Sequence, residues 1–229
     1  MKALHLLLPL ALGAGVTASA TIVTEATRNY TVGYYFSDLQ DPPVSFLQTI
    51  SDSTITSLTG VVVGLNLVGS TEGNGFASEM FVSLNKDLSL TSILLNSVGV
   101  TSSNPLVGQG YDGWNVSFQD GAANGDIHDA VLTAGVLTGL YEPDGRVQPT
   151  DTARPELLDV FLGNAGNGDW RLNVADLDLG GTMRLVSWSI TLTGDNGAQA
   201  IPEPATYAAG VALLGLIGAT WWRRGRAGR

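Results

Sequence analysis

The chain contains no cysteine, two histidines and only 11 lysine or arginine residues among 229, against 21 aspartate or glutamate residues. Without thiolates it can form neither a disulfide framework nor a cysteine-held zinc or iron–sulfur site. An acidic excess of this kind repels phosphate, which excludes electrostatic binding of nucleic acid. Charged residues of both signs are sparse, at 14%, and glycine is plentiful, at 29 positions. That balance suits strands and turns better than long charged helices.

Both ends differ in composition from what lies between. Lys2 precedes an apolar run from Ala3 to Val16, followed by Ala18-Ser19-Ala20. This reads as a secretory signal peptide over residues 1–20, with Ala18 and Ala20 as the small residues that signal peptidase requires at the cleavage point. Ala205 to Trp222 is uncharged over 18 residues, and a helix of that length reaches about 27 Å, enough to cross hydrocarbon. Trp221 and Trp222 suit the headgroup layer, and the arginines that follow would hold the tail on the cytoplasmic side with the body outside.

Pro202-Glu203-Pro204 stands immediately before that helix, and Arg223, Arg224 and Arg226 immediately after it. In this order and spacing the C-terminus resembles the PEP-CTERM sorting signal of exported bacterial proteins. The resemblance implies recognition by an exosortase, a membrane transpeptidase that removes the helix. The protein would then be membrane-anchored only transiently before reaching the cell surface or the extracellular space.

Of the acidic residues only Glu203 lies outside 21–200, and of the basic ones Lys2 and four arginines do, which leaves a segment of 20 acids and 6 bases with net charge −14. At 180 residues it is one domain of ordinary size, able to bury a core without disulfides. Thr54–Val68 is rich in Val, Leu and Thr, Met80–Leu84 alternates, Ser92–Leu95 is a short apolar run, and Gly and Asn cluster between them. The expected fold is therefore all-β, a two-sheet sandwich of jelly-roll type. The nearest approach to a helical pattern, Asp129–Leu140, carries two glycines and two threonines and predicts an irregular or short helical segment.

Phe161–Thr193 predicts two strands joined by an acidic, Gly-rich turn. Trp170, Leu172 and Val174 share one face of the first strand, and Val186, Trp188, Ile190 and Leu192 one face of the second. Phe161, Gly163, Asn167-Gly168, Trp170, Leu172, Val174, Asp176, a glycine at 180 or 181, Leu185, Ser187-Trp188, Ile190 and Leu192 together resemble the closing motif of the P domain, or P/Homo B domain. The match is specific over about thirty residues and fades upstream, where Glu79-Met80 begins a strand that lacks the family's Ser-Pro. A P domain implies a jelly-roll sandwich that normally sits beside a subtilisin-like protease.

Such a protease would need a serine, histidine and aspartate in their own motifs, and after signal removal His128 is the sole histidine. No Gly-x-Ser-x-Gly elbow occurs, so the chain is expected not to be an enzyme. His128, set between Asp126 and Asp129, reads as a solvated loop histidine. The same loop offers a candidate calcium site in Asp120, Asn124, Asp126 and Asp129, without the pattern of an EF-hand, because Ala122 and Val131 replace required ligands. Tyr34, Tyr35, Tyr111 and Trp114 could stack on sugars or fill a core, whereas Trp170 and Trp188 read as core.

The expected function is that of an exported, non-enzymatic structural or adhesive protein. Its alternatives are a carbohydrate-binding module of an exopolysaccharide matrix and an accessory domain acting in trans with a protease. Partners then comprise signal peptidase, exosortase and exopolysaccharide, with no nucleic acid.

Overall fold

Strand pairing, antiparallel at every junction but one, organises the described residues into two sheets. The computed structural model describes residues 21–39, 42–69, 79–104, 112–131, 135–179 and 182–197. Ten strands follow in order: β1 (Ile22–Thr24), β2 (Arg28–Tyr35), β3 (Val44–Ile50), β4 (Ser57–Gly69), β5 (Met80–Lys86), β6 (Leu90–Asn96), β7 (Gly113–Phe118), β8 (Val136–Tyr141), β9 (Gly168–Asp176) and β10 (Met183–Asp195). The first sheet runs β10-β4-β7-β8, with β1 and β2 sharing the free edge of β10; the second runs β3-β9-β5-β6.

Alternation explains the pairing of the two sheets. In β4, Leu58, Val61, Val63, Leu65 and Leu67 are buried; in β9, Trp170, Leu172 and Val174 are. Both sets join one hydrophobic cluster, so the two sheets cover each other's apolar faces as a β-sandwich. Phe161, in the 3₁₀ turn Leu158–Phe161, meets the Trp170 ring edge-on at 5.1 Å, and the Trp170 indole N–H donates to the Gly166 carbonyl at 3.1 Å. The large ring is thereby buried without leaving its donor unpaired.

Two local expectations are corrected. In β10 the buried apolar side chains are Met183 and Leu185, then Trp188, Ile190 and Leu192, and Val186 is not among them. A bulge between Leu185 and Ser187 inserts Val186 as an extra residue and shifts the inward parity by one. The segment expected to be irregular or helical, Asp129–Leu140, holds most of β8, paired in parallel with β7, and among its described residues the sole helical piece is the end of the 3₁₀ turn Ile127–Asp129. Gly135 and Gly139 have φ of 90° and 136°, conformations closed to a helix.

Ala18, Ala20, Pro202, Glu203, Pro204, Arg223, Arg224 and Arg226 lie outside the described residues, as does the expected helix at 205–222. Among the described residues no helix is long and apolar enough to cross a membrane.

Candidate functional site

The outward face of the six-stranded sheet is built from small neutral polar residues. Register aligns them into two rows, Asn29-Ser189-Gly64-Ser117 and Thr31-Ser187-Asn66-Asn115-Thr138, each running across the strands. Neighbouring strands lie about 4.8 Å apart, so four of them spread these groups over about 15 Å. A depression of about 210 Å³ opens on this face, and none of its ten lining residues is charged. Gly64 forms its floor: a Cβ there would meet the Ser189 hydroxyl oxygen at 2.3 Å.

These side chains are free to bind. Asn66, Asn115, Ser117, Ser187 and Ser189 have no side-chain hydrogen-bond partner among the described residues, and Asn29 reaches only the Thr27 carbonyl, at 3.4 Å. At one end of the face Arg184 lies 5.5 Å from the Tyr35 ring centre and leaves that ring 56% exposed. Tyr34 is exposed as well, whereas Trp114 is fully buried and belongs to the core; Tyr111 lies outside the described residues.

The acidic loop is organised differently. Asp126 caps the 3₁₀ turn by accepting from the His128 N–H at 2.9 Å, and its other carboxylate oxygen meets Arg146 at 2.7 Å and Arg154 at 3.3 Å. Asp120 accepts from the Leu158 N–H at 3.1 Å, and its burial pushes the carboxyl above the usual range. Asn124 and Asp129 are exposed. Among the described residues no three Asp, Glu or His side chains form a group that could hold a metal. Two guanidinium groups from a later loop supply the positive charge that calcium was expected to bring.

His128 is not a solvated loop residue. Its ring is 5% exposed, with Nδ1 at 2.7 Å from the Asp144 carboxylate and Nε2 at 2.7 Å from the Val100 carbonyl. The Val100 carbonyl and an ionised Asp144 both accept, an arrangement that suits a ring donating from both nitrogens, the imidazolium. Burial favours the neutral ring, but the hydrogen bond and charge of Asp144, together with the Val100 carbonyl, outweigh it and raise the pKa. Asp144, fully buried, also binds Arg146 at 3.2 Å, and Arg154 pairs with Glu142 at 2.8 Å. The result is a closed ion network that staples two loops to the end of β6, where the Asn96 side chain donates to the Arg146 carbonyl at 3.0 Å.

A second set of carboxyls lacks such partners. Both Asp176 oxygens and one Glu79 oxygen are buried without a hydrogen-bond partner. Burial, followed by the charges of Asp176, Asp178 and Asp38, pushes Glu79 up to about 7. Burial lifts Asp176 to about 6; the nearby Asp178 backbone N–H, which does not reach hydrogen-bonding geometry, opposes the shift, and the charges of Asp38 and Asp178 add to it. The P-domain-like motif includes Asp176, but no local spacing pairs it with Glu79.

No protein-family model and no curated protein matches the chain. Among solved structures, a complex of the Aeromonas sobria serine protease with its chaperone is similar at 17% identity and a TM-score of 0.44, over 76% of this chain and 27% of that one. The same serine protease alone gives 18% and 0.43, over 79% of this chain and 28% of that one. Dimeric latent PorU from Porphyromonas gingivalis gives 10% and 0.36, over 81% of this chain and 14% of that one. The chain thus spans little more than a quarter of either Aeromonas chain.

Proposed function

We propose that this is an exported, non-enzymatic sandwich, cleaved after its signal peptide, sorted by an exosortase and delivered to the cell surface or extracellular matrix in a structural or adhesive role. The observation that carries the adhesive part is the unengaged neutral face around Gly64. Donors and acceptors that satisfy one another within a domain are structural, whereas a broad array left to water is available to a partner. The sorting part rests on the resemblance of residues 201–229 to PEP-CTERM signals and on the matching signal peptide.

A second reading, an accessory domain acting in trans with a protease, draws on the P-domain-like motif of β9 and β10 and on the jelly roll that it implies. Fractionation of the producing cells tests the first reading. The protein should appear in the surface or matrix fraction with a mass lacking residues 205–229. Recovery of the intact chain in the inner membrane would contradict it, and co-purification with a protease would favour the second reading.

A further inference from the structure

Each common class of partner demands a surface chemistry, and most of those demands are absent from the outward face of the six-stranded sheet. A stable protein interface is centred on buried aromatic or aliphatic anchors in pockets. Here the depression is walled by Asn and Ser, and the exposed large apolar side chain at its β8 border is Leu140, 38% exposed. Nucleic acids and acidic polymers need Lys and Arg, and none lines the depression. A membrane surface needs apolar side chains with basic flanks, and an apolar small molecule needs an apolar cavity.

What remains is a ligand that is neutral and presents many groups able both to donate and to accept. Asn66 and Asn115 each offer one acceptor oxygen and two donor hydrogens, and the serine hydroxyls do both. Each such bond is worth only about 0.5–1.5 kcal/mol net of water, so useful affinity requires several along a repeating chain. The two rows provide that repetition across four strands, and at their centre the Ser189 hydroxyl leans over the side-chain-free Gly64, which presents a polar group in the depression. Tyr35, exposed at one end, adds an aromatic ring for stacking.

We propose that this face binds a neutral polysaccharide, lying across β10, β4 and β7 with the Gly64 depression as its central subsite. Charge selects among polysaccharides as well: a domain of net charge −14 repels uronate and sulfate polymers, no cation lines the depression, and Arg184 stands only at the far end of the face against Tyr35. The inference rests on the adhesive reading above and specifies its ligand.

The test is affinity electrophoresis of the full-length protein through gels containing dextran, mannan, laminarin or the polyuronate alginate. At least one neutral polymer should retard it, and the retardation should survive high salt. Asn66→Ala with Asn115→Ala should weaken retardation at least about tenfold, which corresponds to about 1.4 kcal/mol. Gly64→Ala paired with Ser189→Ala exchanges the Ser189 hydroxyl for a methyl at nearly the same place, and it should weaken retardation too. Asn173→Ala, on the opposite sheet, should not. Retardation by alginate alone, unchanged binding in both double variants, or no retardation by any neutral polymer would overturn the proposal. In that last case, continued binding to the producing cell's own matrix would leave the adhesive reading standing, and loss of both would remove both.

Discussion

The two outward faces of the sandwich use similar side chains to opposite ends. On the four-stranded sheet, Ser45 donates to Asn173 at 2.6 Å, Asn173 donates to Asn85, and Asn85 donates to Thr91 at 2.5 Å. This ladder crosses β3, β9, β5 and β6, and the same face carries Asp169 and Arg171. On the six-stranded sheet the corresponding Asn and Ser groups stand without partners, and the centre of the face is uncharged. Composition alone does not separate a structural polar surface from a binding one. The difference lies in whether cross-strand register lets the groups satisfy one another.

The largest effects should appear where the two faces share a core. Trp170→Ala, beneath the four-stranded face, and Trp188→Ala, beneath the six-stranded one, should each lower stability by about 3–5 kcal/mol. Denaturant midpoints measure this, and a much smaller loss for one would mean that the sheets do not form a single core. Next in size, Asn173→Ala strands the polar atoms of Ser45 and Asn85 and should cost about 1–2 kcal/mol, against within about 0.5 kcal/mol for Asn66→Ala. Equal costs would erase the contrast between the faces.

Titration gives a third and smaller effect, away from both faces. Glu79 and Asp176 hold their protons to about 7 and about 6 when folded, against about 4 when unfolded. The unfolded chain therefore releases these protons first, and stability falls as pH rises through that interval. His128 acts in the same direction. Its folded pKa lies above the ordinary value of about 6.5, so its contribution is complete below that pH and is lost as pH rises through the folded value. Melting temperature should be higher at about pH 5 than at about pH 8. Asp176→Asn should flatten the lower part of the decline and His128→Gln the upper part; a melting temperature that rises with pH over this range would contradict both assignments.

The smallest effect concerns calcium. With Asp126 held by Arg146 and Arg154, millimolar calcium and magnesium at matched ionic strength should shift melting alike. A calcium-selective rise that disappears in Asp120→Asn with Asp126→Asn would restore the loop as a metal site.

Local patterns carried much of the fold into the sequence. Trp170, Leu172 and Val174 alternate without interruption, so the inward face of β9 could be read directly. In β10 the bulge at Val186 left no local mark, because its position depends on how Asn66 and Leu67 pair from the neighbouring strand. The acidic loop was only partly legible for a related reason: the arginines that neutralise Asp126 come from residues 146 and 154, a loop away in sequence. His128 looked solvated because Val100 and Asp144, which bury and charge it, are 28 and 16 residues distant. The candidate face was legible only as alternating polar positions within separate strands; its existence as a surface depends on the register of β2, β10, β4, β7 and β8.

Side-chain amide resonances report on both faces in a single spectrum. With a neutral polysaccharide that retards the protein added, the NH₂ signals of Asn29, Asn66 and Asn115 should shift, and those of Asn85 and Asn173 should stay in place. Shifts confined to Asn85 and Asn173, or spread equally over all five, would contradict the assignment of the six-stranded face as the binding surface.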